Sequence, residues 1–364
     1  MTDERLFWIA LREIESVGNI IFKRLIDRFG TPSQVLSAPL ETLASVEGVP
    51  KHAARSIVHS RSSSLERADE ICRNLDRIGA DIVTIHDPNY PPLLREITDP
   101  PPILFVRGEI PLSQKAISIV GSRRATRAGL DMATRLSADL SREGFVIVSG
   151  FARGIDTAAH RSALDAGGKT IAVLGCGVDV VYPPENGKLY ERMVAEGCLI
   201  SEYLPGTQPL AGHFPRRNRI ISGISRGLVV VEAAEKSGTL ITALFALNQG
   251  REVFAVPGSL ISGMNRGCHW LIKQGAKLVE NAADVLDGLD LIPTRSLTPH
   301  EMPPAPRLSP PEQRILDLLS DLPLSIDDLV VSSGLTPGEL SSILLRLELE
   351  GVIIQLPGKL FARS

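Results

Sequence analysis

Residues 117–150 read ISIVGSRRATRAGLDMATRLSADLSREGFVIVSG. Two Val/Ile-rich runs, from Ile117 and from Phe145, frame a stretch of helical spacing, Arg127–Glu143. A strand, a helix and a second strand in about 30 residues is the length of a parallel crossover unit. The same beat continues along the chain. Apolar runs begin near Ile117, Phe145, Thr170, Leu199, Leu228, Val253 and Leu278, so successive starts lie 28, 25, 29, 29, 25 and 25 residues apart. These strands are apolar on both parities, which requires cover on both faces. The expected class is therefore α/β, with a doubly wound, mostly parallel sheet. Such sheets bind ligands beyond the carboxyl ends of their strands, so function is to be sought in the loops that follow each strand.

The whole chain has 364 residues, room for two or three domains. Its 43% hydrophobic and 22% charged residues are ordinary for a globular protein and exclude a disordered, collagen-like or coiled-coil chain. A net charge of −3 excludes a basic coat for nucleic acid, so any polyanion site must be a local cluster of Lys and Arg. Aromatics at 4% argue against a long row of base-stacking rings. No apolar run reaches the length of a membrane span. The start, Met1-Thr2-Asp3-Glu4-Arg5, is acidic where a secretory signal is basic. A cytoplasmic protein without membrane insertion is expected. Cys72, Cys176, Cys198 and Cys268 are far apart and suggest buried thiols rather than a metal site.

Four segments follow. Residues 1–64 form a small all-α module with two glycine turns, Ser16–Asn19 and Val46–Pro50, the second followed by a helix over His52–Arg61. It resembles a tandem helix-hairpin-helix or SAM-like module, with packing or interaction as its expected role ahead of DNA contact. Residues 65–290 hold the sheet. Residues 291–310 are a proline-rich linker. Residues 311–364 have the element order of a small winged helix. This tail carries four basic against eight acidic residues, among them Glu339, Glu348 and Glu350 on the third helix, a charge that argues against major-groove reading.

The loop after the first strand, Gly121-Ser122-Arg123-Arg124-Ala125-Thr126-Arg127, has one glycine where a dinucleotide fingerprint needs three. With three arginines and a helix start it suits phosphates instead. Ser149-Gly150-Phe151-Ala152-Arg153-Gly154-Ile155-Asp156 is a second anion cradle, in which Asp156 and His160 are read as helix cap and loop brace. Gly212–Arg226 carries Arg216, Arg217, Arg219 and Arg226 with no acidic residue. Helical spacing puts Arg216 and Arg219 near one face and Arg217 elsewhere, which predicts one or two phosphate ligands and one structural arginine without saying which. Phe214 either stacks on a base or staples this helix. Ser237-Gly238-Thr239 opens another helix and can also hold a phosphate. Walker A, H-E-x-x-H and G-x-S-x-G patterns are missing, and no nucleophile stands out. Several cradles along one rim fit a chain of phosphates better than a single mononucleotide.

Residues 120–126 (VGSRRAT), 149–160 (SGFARGIDTAAH), 175–186 (GCGVDVVYPPEN), 214–223 (FPRRNRIISG), 230–243 (VVEAAEKSGTLITA) and 254–258 (FAVPG) resemble the DNA-processing protein A (DprA/Smf) family in order and spacing. The resemblance implies a Rossmann-like domain with flanking helical and winged-helix modules. It implies a non-enzymatic protein of natural transformation that binds and protects incoming single-stranded DNA and loads the RecA recombinase. A homodimer through the Rossmann-like domain is implied, and no cofactor. By motif position the DNA pocket falls on Gly121, Ser122, Arg123, Gly150, Arg153, Arg217, Asn218, Arg219, Ser237 and Gly238, with Arg217 favoured as the ligand. The cradle reading adds Gly154 and Phe214. Gly267-Cys268-His269-Trp270-Leu271-Ile272 departs from the family's G-x-N-x-L-I turn. The competing expectation is a nucleotide or phosphoribosyl hydrolase on a related fold. Such hydrolases resemble P-G-G-x-G-T-x-x-E where this chain has Lys236–Thr242, without the glutamate.

Overall fold

The computed structural model describes residues 4–111, 115–261, 263–289, 308–319, 323–349, 352–356 and 360–363. They form two compact units divided after residue 292. All but the last three residues of the expected linker, 291–310, lie outside the described residues.

The first unit opens with helices α1 (Glu4–Arg12), α2 (Asn19–Phe29), α3 (Pro32–Ser37), α4 (Leu40–Ala44) and α5 (Lys51–Ile78). Gly18 precedes α2, and Gly48, at φ 74°, lies just before α5. Helix α5 runs well past Arg61, through the boundary drawn at residues 64 and 65. The helix expected over His52–Arg61 stops at a serine-rich stretch, Ser60–Ser64, where serine can compete with the helix for its own backbone. Here Ser63 and Ser64 instead donate back to the carbonyls of Ser60 and Arg61. Ala53, Ile57, Ser64, Ala68, Cys72 and Leu75 keep one buried stripe, and Gly79 caps the end in the left-handed region. Trp8, Leu11 and Leu75 share one apolar core with Phe105 and Val148 of the sheet.

The sheet begins with β1 (Asp81–Thr84), α6 (Pro92–Arg95) and β2 (Ile103–Gly108). Then come β3 (Ala116–Val120), α7 (Arg127–Arg142), β4 (Val146–Ser149), α8 (Ile155–Asp165) and β5 (Thr170–Val173). They are followed by α9 (Gly187–Glu196), β6 (Cys198–Ser201), α10 (His213–Ile224), β7 (Gly227–Val230) and α11 (Thr239–Asn248). The last elements are β8 (Glu252–Ala255), α12 (Arg266–Lys273), β9 (Lys277–Leu278) and α13 (Ala282–Gly288). Strand order is β1-β2-β6-β5-β4-β3-β7-β8-β9. Strands β3 to β9 are parallel, matching the seven apolar runs. Strands β1 and β2 extend the β6 edge antiparallel, outside the 25-to-30-residue beat that revealed the others.

Alternate strand residues face opposite layers. Ile117, Ile119 and Ile147 pack against Leu136 and Leu140 of α7 and Ala159 of α8. Val148, Val173 and Leu228 pack against Ile220 and Ile221 of α10 and Ala243 of α11. Among the described residues no helix is long and apolar enough to cross a membrane.

The second unit contains α14 (Pro310–Leu318), β10 (Leu324–Ser325), α15 (Ile326–Ser333), α16 (Pro337–Leu349), β11 (Ile353–Leu356) and β12 (Leu360–Arg363). Its small antiparallel sheet has the order β10-β12-β11. Leu316, Leu329, Leu340, Leu344 and Phe361 form its core. This is a winged-helix arrangement, and Arg346 of α16 is paired with Glu312 at 3.1 Å.

Phe254 is fully buried where β8 meets Gly227 and Gly288. Phe254→Ala should destabilise the first unit by about 3–5 kcal/mol. Both tryptophans, Trp8 and Trp270, lie in that unit, so urea unfolding followed by tryptophan fluorescence reports it directly.

Candidate functional site

Chain order reverses between β3 and β7. Strands β4, β5 and β6 follow on one side, β8 and β9 on the other. The loops after β3 and β7 therefore part and leave a crevice at their carboxyl ends. A groove of about 860 Å³ occupies it. Gly121, Ser122, Arg123, Phe214, Arg217, Asn218, Ser237 and Gly238 line this groove. Gly150 and Arg153 line a cavity of about 50 Å³ that shares the Arg123 and Phe214 walls. Gly154 and Arg219 line neither.

Arg217 projects from α10 across the strand ends and is 3% exposed. Its Nη1 donates to the Val173 carbonyl at the end of β5, while its Nε has no hydrogen-bond partner among the described residues. Room for the guanidinium depends on Gly150, where a Cβ would sit 2.2 Å from Nη1. Asp156 of α8 supplies the opposing charge. Its carboxylate accepts from the backbone N–H groups of Gly150 (3.1 Å) and Ala152 (3.3 Å). Phe151, a buried residue at φ 59°, turns the loop between those two amides. Burial pulls Arg217 down to about 10, against the pull of Asp156, so it stays charged at neutral pH. Burial pushes Asp156 up, against Arg217 and its hydrogen-bond donors. His160, one turn further along α8, bonds through Nδ1 to the Thr170 hydroxyl at 2.7 Å. Burial, reinforced by Arg217, holds His160 down at about 3, so it is neutral.

The neighbouring arginines differ. Arg216 is exposed, but Arg219 does not share its solvent-facing side as helical spacing predicts. Nη1 and Nη2 of Arg219 donate to both carboxylate oxygens of Glu202 at 3.0 and 2.9 Å, and Nε donates to Asp99 at 3.2 Å. Arg219 is thus the structural arginine, fixed by acids remote from it in sequence. Gly154 also acts in the scaffold. It sits at φ 75°, and a Cβ there would lie 2.3 Å from the Ser122 carbonyl, so it lets the first two loops touch.

On the groove wall, Arg123 lies 5.3 Å over the Phe214 ring. The Tyr182 ring lies 5.5 Å from Phe214, tilted by 37°, and is 39% exposed. Phe214 thus belongs to a short aromatic platform with a guanidinium on one side. Arg123, Arg124 and Lys236 form no ion pair among the described residues, whereas Arg127, Arg142 and Arg192 on nearby helices do. Arg153 is paired with exposed Glu185 at 2.5 Å. Asp156 is the acidic residue lining the groove, and it is buried.

Two hydroxyls shape the loops. Ser122 Oγ accepts from the Arg124 N–H at 3.1 Å, and Ser237 Oγ donates to Thr239 Oγ1 at 3.0 Å. Glu232, after β7 and 1% exposed, was not singled out by sequence reasoning. It accepts from the Thr126 backbone N–H and hydroxyl, the latter at 2.6 Å, so it joins the β7 loop to the start of α7. Tyr182 lies within the 175–186 motif, which assigned it no role. An aromatic residue beside Pro183-Pro184 in a strand-following loop was the available signal.

The family described as DNA recombination-mediator protein A matches residues 81–290, and the DprA winged helix domain matches residues 299–359. Protein Smf of Synechocystis sp. is 34% identical over 99% of both chains. DNA processing protein DprA of Streptococcus pneumoniae is 49% identical over 56% of this chain and 72% of that one. Its crystal structure covers 79% of this chain and 98% of its own, with a TM-score of 0.68 and 37% identity. A structure describing the single-stranded DNA binding mode of DNA processing protein A from Helicobacter pylori covers 58% of this chain and 95% of its own, with a TM-score of 0.53 and 29% identity. The chain belongs to the DNA recombination-mediator protein A family.

Two outcomes are expected from this geometry. Arg219→Ala leaves Glu202 buried without a partner and should cost about 3–5 kcal/mol in chemical denaturation, whereas an apolar replacement of both residues should restore most of it. His160 has a folded pKa below its unfolded value, so the unfolded chain takes up the proton first and stability falls as pH drops below about 6.5. Relative to His160→Asn, the native chain should lose about 1–2 kcal/mol more between pH 6.5 and pH 5. Urea titrations of both proteins at the two pH values measure the difference.

Proposed function

We propose that the chain is a single-stranded DNA-binding recombination mediator, with the strand's phosphates running along the groove between the β3 and β7 loops. The observation that carries this reading is the charge of the groove. Arg123, Arg124, Lys236 and buried Arg217 face a volume whose one acidic lining residue among the described residues, Asp156, accepts from two backbone amides. Unpaired cations on a concave surface hold phosphates and make binding depend on salt. The starts of α10 and α11 add partial positive charge along the same rim. Tyr182 and Phe214 offer ring faces to one or two bases, which only an unpaired strand presents. Gly121, Ser122, Asn218, Ser237 and Gly238 line the groove beside them. Gly150 makes space for Arg217, and Arg153 waits on its exchange from Glu185 to phosphate.

In this reading the protein protects an incoming strand and loads the RecA recombinase in the cytoplasm, without catalysis. The RecA step rests on family membership. A homodimer through the sheet domain is supported by α11, which leaves Ile241, Leu244 and Leu247 from 40% to 51% exposed on one side. A hydrolase acting on one nucleotide would need a carboxylate free to reach the ligand, and Asp156 is committed to the Gly150 and Ala152 amides.

Fluorescence anisotropy of a labelled single strand and its duplex, each across a salt series, tests the reading. Tight single-strand binding with a steep salt slope and much weaker duplex binding is expected. Arg123→Ala and Arg217→Ala should each weaken it by about 1–3 kcal/mol, because each removes a charge-assisted bond to phosphate in a partly desolvated site. Phe214→Leu should cost about 1–3 kcal/mol by removing a stacking face. Unchanged binding by a folded Arg123/Arg217 double variant, or saturable binding of a mononucleotide in place of the strand, would refute it.

A further inference from the structure

We propose that the amino-terminal end of the parallel sheet carries a second ligand site, which takes a small molecule with an apolar body and a single carboxylate. This site is independent of the groove and of the DNA-binding reading. It is a cavity of about 370 Å³, in the size range of small-molecule sites.

The floor is Ala116, Val146 and Ile171, at the starts of β3, β4 and β5. All three are at most 4% exposed, and yet they line the cavity, so its base is deep and apolar. One wall is the segment from Pro88 to Leu93, in which three prolines fix the backbone dihedrals and keep the wall rigid. Tyr90 is locked in that wall by its hydroxyl bond to the Pro101 carbonyl at 2.8 Å. A preformed wall reduces the ordering that a ligand must impose.

Arg226, at the end of α10 and just before β7, supplies the charge. Its backbone is committed, with the N–H donating to the Ala116 carbonyl and the carbonyl accepting from Glu252. Its side chain makes no hydrogen bond or ion pair among the described residues. The contrast is Arg251, whose Nη2 donates to the Leu93 and Gly223 carbonyls at 2.8 and 3.4 Å and so ties the same wall to α10. No acidic side chain lines the cavity among the described residues.

An apolar slot with one uncommitted guanidinium selects its ligand by chemistry. A carboxylate matches the two-pronged donor geometry of arginine. An apolar body gains by leaving water for the floor. A phosphomonoester or longer polyanion would bring charge that one cation and an apolar lining cannot replace for its lost hydration. A neutral apolar molecule would fill the slot but leave the guanidinium unmatched.

The test uses the full chain and two probes of nearly equal shape, 4-phenylbutyrate and 4-phenyl-1-butanol, with binding read by saturation-transfer NMR and calorimetry. The acid should saturate one site per chain and bind about tenfold tighter than the alcohol, the effect of one charge-assisted contact. Arg226→Gln should bring the acid down to the level of the alcohol and leave the alcohol unchanged. Leu93→Glu, on the rim, should weaken the acid more than the alcohol by repulsion. Circular dichroism and tryptophan fluorescence establish that both variants are folded. Equal binding of acid and alcohol, no saturable binding of the acid at millimolar concentration, or acid affinity unmoved in both variants would overturn the proposal.

Discussion

A guanidinium taken out of water without compensation costs several kcal/mol, and this fold does so at the carboxyl end of its central strands. Arg217 is tolerated there because three local features agree. Gly150 leaves the volume, the Val173 carbonyl accepts one donor, and Asp156 supplies the opposite charge from a neighbouring helix. The pairing is electrostatic rather than a tight fork. Asp156 spends its oxygen on the Gly150 and Ala152 amides, and Arg217 keeps an unmatched Nε. A fully matched pair would neutralise the site. An incompletely matched one leaves positive potential at the crevice and fixes the loop that frames it.

The same helix shows how one turn of sequence is divided between crevice and scaffold. Arg216, Arg217 and Arg219 are chemically alike, and α10 sends them to water, to the crevice and to Glu202 with Asp99. Periodicity could separate Arg217 from the other two. It could not separate Arg216 from Arg219, because that depends on acids 17 and 120 residues away in the chain. Long-range partners decide which arginine is structural, and local spacing holds no record of them. Gly154 illustrates the same limit. Its position in a cradle is legible, but its task, allowing the Ser122 carbonyl to approach, appears only when two loops meet.

What was legible follows the period of the chain. Seven parallel strands announced themselves through apolar runs and nearly constant spacing, and the crevice follows from their order. Strands β1 and β2 were missed because they join the sheet edge-on, between proline-rich turns, without a crossover helix. Helix α5 was cut short because serines mimic a loop locally, while the buried stripe that sustains the helix is spread over 28 residues. Glu232 hid for the opposite reason. An acid after an apolar strand looks like an exposed loop residue, and only the buried contact with Thr126 reveals a clamp. Phe214 was ambiguous between packing and stacking, and the structure gives it both a tight approach to Gly175 and a ring neighbour, Tyr182.

A flexible strand loses conformational freedom on binding, and so does any side chain that must be ordered to meet it. In the proposed reading the groove limits the second loss. Glu232 pins the β3 loop to the β7 loop, Asp156 braces the β4 loop, and Arg217 is held among strand ends before a ligand arrives. Its long exposed cations, Arg123, Arg124 and Lys236, are on the outer wall, where a strand bound as proposed would place its phosphates. Buried charge at the bottom and exposed charge at the rim is an arrangement that suits a polymer of fixed charge and variable bases. The platform of Tyr182 and Phe214 fits that division, since a ring face accepts any base and hydrogen-bonds to none. Sequence tolerance is what the chemistry of these walls would give a strand bound as proposed, without a separate device.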